Sequence, residues 1–179
     1  MMKEQNQMLE CFELAETKKQ PGEEAAVTLS LTFAQRQKSR AKAASESGRE
    51  VAWFLPRGHV LADGDCLKAQ DGSLVCIIAA AETVSEVSCD NPLLLSRAAY
   101  HLGNRHVPLQ IDAGRLRYQH DHVLDAMLTG LGLRVDCVQQ PFHPEPGAYH
   151  SHAVHAHGPG EHSSDQHSSD DNHSHSHGH

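Results

Sequence analysis

The residues from Thr83 to Phe142, TVSEVSCDNPLLLSRAAYHLGNRHVPLQIDAGRLRYQHDHVLDAMLTGLGLRVDCVQQPF, decide the fold. TVSEVSC reads as a strand. In NPLLLSRAAYHL, Asn91 can accept hydrogen bonds from a first helical turn, and Pro92 at the next position has no donor to strand. Leu93, Leu94, Arg97, Ala98 and His101 then follow at helical spacing, and Gly103 is the expected left-handed stop. VPLQIDAGRLRYQ reads as two strands around Ala113-Gly114. DHVLDAMLTGLG reads as a second helix, capped by Asp121, with Val123, Leu124, Met127, Leu128 and Leu131 as its apolar stripe and its end near Gly130 or Gly132. LRVDCVQQPF closes the set as a strand. The order β-α-β-β-α-β predicts a ferredoxin-like domain, with two helices covering one face of an antiparallel sheet.

Upstream, from Leu9 to about Val84, the punctuation is that of a β domain. AVTLSLTF alternates apolar and polar residues, EVAWFLP follows a Ser-Gly turn, and Asp63-Gly64 and Asp71-Gly72 separate short runs that end in SLVCIIAA. A small sandwich or barrel-like module fits hairpin signals at this spacing. Beyond Pro141 little remains that could bury surface, so folding could not offset the entropy of ordering the chain there. The expected organisation is α+β: a leader over 1–7, a β domain over 8–82, a ferredoxin-like domain over 83–147 and a disordered His-rich tail over 148–179.

Composition removes several classes of function. The formal net charge is −8 with His neutral, and no Lys or Arg follows Arg134, so the negative balance gathers towards the C-terminus. No basic face for phosphates is signalled, which argues against nucleic acid. No apolar run is long enough for a signal peptide or a membrane span, which points to a cytoplasmic protein. Cys11, Cys66, Cys76, Cys89 and Cys137 form no CxxC pair, and the expectation is reduced thiols packed as small hydrophobes. Arg36, Lys38, Arg40 and Lys42 would share one face of an extended AQRQKSRAKA, either as a solvated strand face or as a docking surface for an acidic partner.

The histidines carry the functional signal. Of 16 in the chain, ten lie from His150 to His179, interspersed with Ser, Asp, Gly and Glu. Neutral imidazole is a borderline-soft ligand for Zn, Cu and Ni, and a flexible tract of this kind would bind metal weakly and exchange it fast. Because the unperturbed pKa of His is about 6.5, protons would displace metal from it as pH falls. His106, just past the helix stop in GNRH, can project from the folded body. His101 lies five residues earlier, and His120 and His122 flank Asp121 at a spacing that puts both rings on one side of an extended backbone. His59 and His143 stand alone and read as surface residues. One chain offers few ordered nitrogens at any point, and a two-fold dimer pairing two copies of His106 would supply more. HExxH, a Gly-rich phosphate loop and GxSxG are all absent, so the reading is not an enzyme.

These features resemble the UreE family of urease accessory proteins. The resemblance lies in FAQRQKSR at Phe33–Arg40, LPRGHVLADGD at Leu55–Asp65, YHLGNRHVPLQI at Tyr100–Ile111, HDHVLDAML at His120–Leu128 and PFHPEPGAYHSH at Pro141–His152, followed by the His-rich end. It implies an N-terminal β domain often described as peptide-binding and a ferredoxin-like domain through which two subunits pair as a homodimer. It also implies that His106 of both subunits is the principal Ni(II) ligand at the dimer axis. His101, His120 and His122 match positions that serve as peripheral sites in some members, and His150 and His152 match the start of the metal-binding tail. The implied role is delivery of Ni(II) to the urease apoprotein, together with the GTPase UreG and other accessory proteins. Zn(II) and Cu(II) are expected competitors, since the Irving–Williams order favours Cu(II) on such nitrogens. The alternatives are a general nickel or zinc buffer without a specific client, and a peptide-binding adaptor in which metal only stabilises the dimer.

Overall fold

A computed structural model describes residues 8–18 and 27–146. The expected leader lies outside the described residues, as does the whole of the expected tail, including His150 and His152.

The first part of the chain supplies β1 (Leu9–Leu14), β2 (Val27–Leu31), α1 (Phe33–Arg36), β3 (Arg40–Ala44), β4 (Glu50–Phe54), β5 (Cys66–Ala69) and β6 (Leu74–Ala79). Its strands form one sheet in the order β2-β6-β5-β1-β4-β3, with β2–β6 and β1–β4 parallel and the other pairs antiparallel. Period-two alternation sends Leu9 and Cys11, Leu29 and Leu31, Val51 and Trp53, and Val75 and Ile77 into one apolar cluster. Trp53 is buried there, and its indole N–H donates to the Lys38 carbonyl at 2.8 Å, so its polar atom is satisfied.

Four readings of this part are corrected. AVTLSLTF does not stay extended to Phe33: the backbone N–H of Thr32 donates to the Gln35 side chain at 2.9 Å, and a single helical turn follows. That turn takes Arg36 out of the basic series. Its guanidinium is buried and donates to the carbonyls of Leu61 and Phe142, while Arg40 and Lys42 remain exposed on β3. Nor are all the thiols separate. Cys66 and Cys76 are direct partners across β5 and β6, with Cα atoms 4.2 Å apart, and form a disulfide. Cys11 is the packed thiol that was expected, its pKa pushed up to about 11 by burial, whereas Cys137 is exposed. His59, read as a surface residue, is only partly exposed and its Nε2 is buried.

The second part runs β7 (Ala81–Ser88), α2 (Pro92–Gly103), β8 (Gln110–Asp112), β9 (Arg115–Gln119), α3 (His122–Gly130) and β10 (Val135–Pro141). The sheet order is β10-β7-β9-β8, antiparallel throughout, which is the ferredoxin-like arrangement that the pattern predicts. Ala98 and Leu102 of α2 and Leu124 and Leu128 of α3 pack with Val87, Leu116 and Tyr118 of the sheet. The two parts meet through Phe33, whose N–H donates to the Glu82 carboxylate at 2.7 Å. Its ring lies edge-on to Phe142, with the centroids 5.3 Å apart.

Candidate metal centre

His106 owes its position to how α2 ends. Asn91 starts the helix as expected, accepting from Leu93 N at 3.1 Å and Leu94 N at 3.2 Å. Gly103 does not end it in a left-handed conformation. The chain continues right-handed through Asn104, and the left-handed residue is His106, with φ 56°. His106 N donates to Gly103 O at 2.9 Å and Val107 N to Leu102 O at 3.4 Å, a Schellman-type exit in which the half-buried Val107 returns to the core. Left-handed backbone is uncommon for a residue with a Cβ, though His adopts it more readily than most. His106 is exposed at the turn.

His101 lies in the last turn of α2, partly exposed, its ring edge-on to Tyr100 at 5.4 Å. His120 and His122 flank Asp121, whose backbone is extended and whose carboxylate caps α3 by accepting from Val123 N at 2.8 Å and Leu124 N at 3.2 Å. Those two amides hold the Asp121 carboxyl below the usual carboxylate range, and His122 and His120 add to the effect. His122 is the first helical residue and is exposed.

Residue spacing did not reveal what surrounds His120. Its Nδ1 lies 3.2 Å from Asp125 Oδ2 and 3.1 Å from Ser85 Oγ, and Ser85 and the Tyr118 hydroxyl both donate to Asp125 Oδ1, at 2.7 and 2.6 Å. Ser85 comes from β7, Tyr118 from β9 and Asp125 from α3, so the register that pairs Ser85 with Tyr118 and the packing of α3 on the sheet bring them together. Burial first, then the bond to Asp125, pushes the Tyr118 phenol far up and keeps it protonated as a donor. Among the described residues, no group of three or more His, Cys, Asp or Glu side chains converges closely enough to hold a metal ion. Among the described residues of one chain, His106 is therefore not joined by such a set.

Two family models match the chain: the N-terminal domain of UreE urease accessory proteins over residues 13–80, and the C-terminal domain over residues 82–179. The chain belongs to the UreE family. Similar proteins, each named urease accessory protein UreE, occur in Teredinibacter turnerae, Alkalilimnicola ehrlichii and Proteus mirabilis. The first is 57% identical over 145 residues, covering 80% of this chain and 92% of the relative. The second is 62% identical over 125 residues, covering 70% and 77%. The third is 56% identical over 127 residues, covering 71% and 79%. These UreE relatives are named as accessory proteins, not enzymes, in keeping with the missing catalytic motifs. No helix among the described residues is long and apolar enough to cross a membrane.

Proposed function

We propose that this protein takes part in urease maturation by carrying Ni(II) to the urease apoprotein in the cytoplasm, with UreG and the other accessory proteins as partners. The ion is cargo, held between His106 of each subunit of a homodimer, while His101, His120 and His122 are auxiliary ligands and the histidines from His150 onward collect ions. The observation that carries this reading is His106 itself: an exposed imidazole on a left-handed residue, tied by a 2.9 Å backbone bond, in a chain that belongs to the UreE family. Imidazole suits Ni(II), and a site completed only by a second subunit can open to release it. Cu(II) and Zn(II) bind the same nitrogens, so cellular availability and partners select the metal.

Calorimetry with Ni(II), paired with a urease activation assay, tests the proposal. His106→Ala should lose the tight ion and urease activation together, whereas removing the residues after Tyr149 should mainly lower the number of bound ions. Unchanged tight binding in His106→Ala would rule the assignment out. A buffer without a client would form no complex with UreG, with or without Ni(II), and a pull-down distinguishes it from the carrier.

A further inference from the structure

We infer that Asp125, supported by Ser85 and Tyr118, is a positioning residue that decides which nitrogen of His120 can bind metal. The inference rests on the carrier reading in one respect, that His120 is an auxiliary ligand.

The protons around Asp125 can be assigned one by one. The Ser85 hydroxyl has a single hydrogen and donates it to Asp125 Oδ1 at 2.7 Å. The Tyr118 hydroxyl donates to the same oxygen at 2.6 Å. Both atoms facing His120 Nδ1 are then acceptors: Asp125 Oδ2 at 3.2 Å, because a carboxylate has no hydrogen to give, and Ser85 Oγ at 3.1 Å, because its hydrogen is already committed. Nδ1 must carry the ring proton. In neutral imidazole this leaves the lone pair on Nε2.

The consequence is a preset ligand. Ser85 is fully buried on β7 and Tyr118 fully buried on β9, so the acceptor pair is anchored in the sheet, while the His120 side chain keeps 40% of its surface exposed. A carboxylate on the far nitrogen of a metal-binding imidazole fixes its tautomer and raises its basicity, and losing such a partner typically weakens metal binding about 10–100-fold. Among the described residues nothing comparable reaches His106, so the two imidazoles differ in kind: His106 is fixed by its backbone, and His120 by its ring.

Asp125→Asn gives a sharp test. The two hydroxyl donors require an acceptor at the Oδ1 position, so they hold the amide oxygen there and turn the amide NH2 towards His120 Nδ1. That nitrogen must then accept, and the proton moves to Nε2, the atom needed by the metal. Nitrogen NMR of the full-length chain, labelled at histidine and recorded where the ring is neutral, reads the tautomer directly. His120 should be protonated on Nδ1 in the wild type and on Nε2 in Asp125→Asn. Its response to added Ni(II) should need about 10–100 times more ion in the variant. If Asp125→Asn does not fold, Asp125→Ala replaces it and should abolish the preference for Nδ1–H. The same tautomer in wild type and variant would overturn the inference. The tautomer is measured without metal, so it does not depend on the His106 site. A wild-type His120 signal that ignores Ni(II) would overturn the ligand role, and this proposal with it, even if His106 still held its ion.

Discussion

Helices α2 and α3 leave the same sheet by the same hydrogen-bond pattern. At the end of α3, Gly132 has φ 87°, its N–H bonds Thr129 O at 2.9 Å, and Leu133 N bonds Leu128 O at 3.1 Å. At the end of α2, His106 has φ 56°, its N–H bonds Gly103 O at 2.9 Å, and Val107 N bonds Leu102 O at 3.4 Å. Each exit needs one left-handed residue followed by an apolar one that returns to the core. Glycine meets that need at no steric cost, while a residue with a Cβ costs roughly 1–2 kcal/mol there. The difference singles out His106 from the other exposed histidines: at this turn the fold would be served better by glycine, and it carries an imidazole.

Exchanging the two exits tests the comparison. His106→Gly gives α2 the ending of α3. Tight Ni(II) binding should fall by more than the roughly 10–100-fold typical of an outer-shell change, as read by calorimetry. Gly132→His makes the opposite exchange and should lower stability to chemical denaturation by about 1–2 kcal/mol without creating a tight site. In His106→Gly the stability should rise by about 0.5 kcal/mol, since relief of strain exceeds the entropy that glycine costs. The two helix entries, in contrast, should be interchangeable. Asn91→Asp gives α2 the type of cap used by α3, and thermal unfolding should shift by no more than a few tenths of a kcal/mol.

Much of this geometry was legible in the sequence because it is local. Asn91-Pro92 and Asp121 marked the helix starts through hydrogen bonds that span two or three residues. The ferredoxin-like arrangement followed from the order of the elements along the chain. The exit of α2 was misread because Gly103 permits a left-handed turn without requiring one, and the bond from Val107 to Leu102 O placed it three residues later. Arg36 looked like a member of an alternating series, yet Thr32 and Gln35 carry the T-x-x-Q signature that starts a helical turn. The pairing of Cys66 with Cys76 depends on register between strands, and the meeting of Ser85, Tyr118 and Asp125 around His120 on register together with the packing of α3, neither of which any spacing along the chain records.

The central claim is that one ion sits between two copies of His106. Anomalous diffraction at the nickel edge, from crystals of the Ni(II)-loaded full-length protein, measures this directly. The expected result is a peak on a two-fold axis within bonding distance of both His106 rings. A tightly held ion elsewhere, with His106 beyond coordination distance in either subunit, would contradict it.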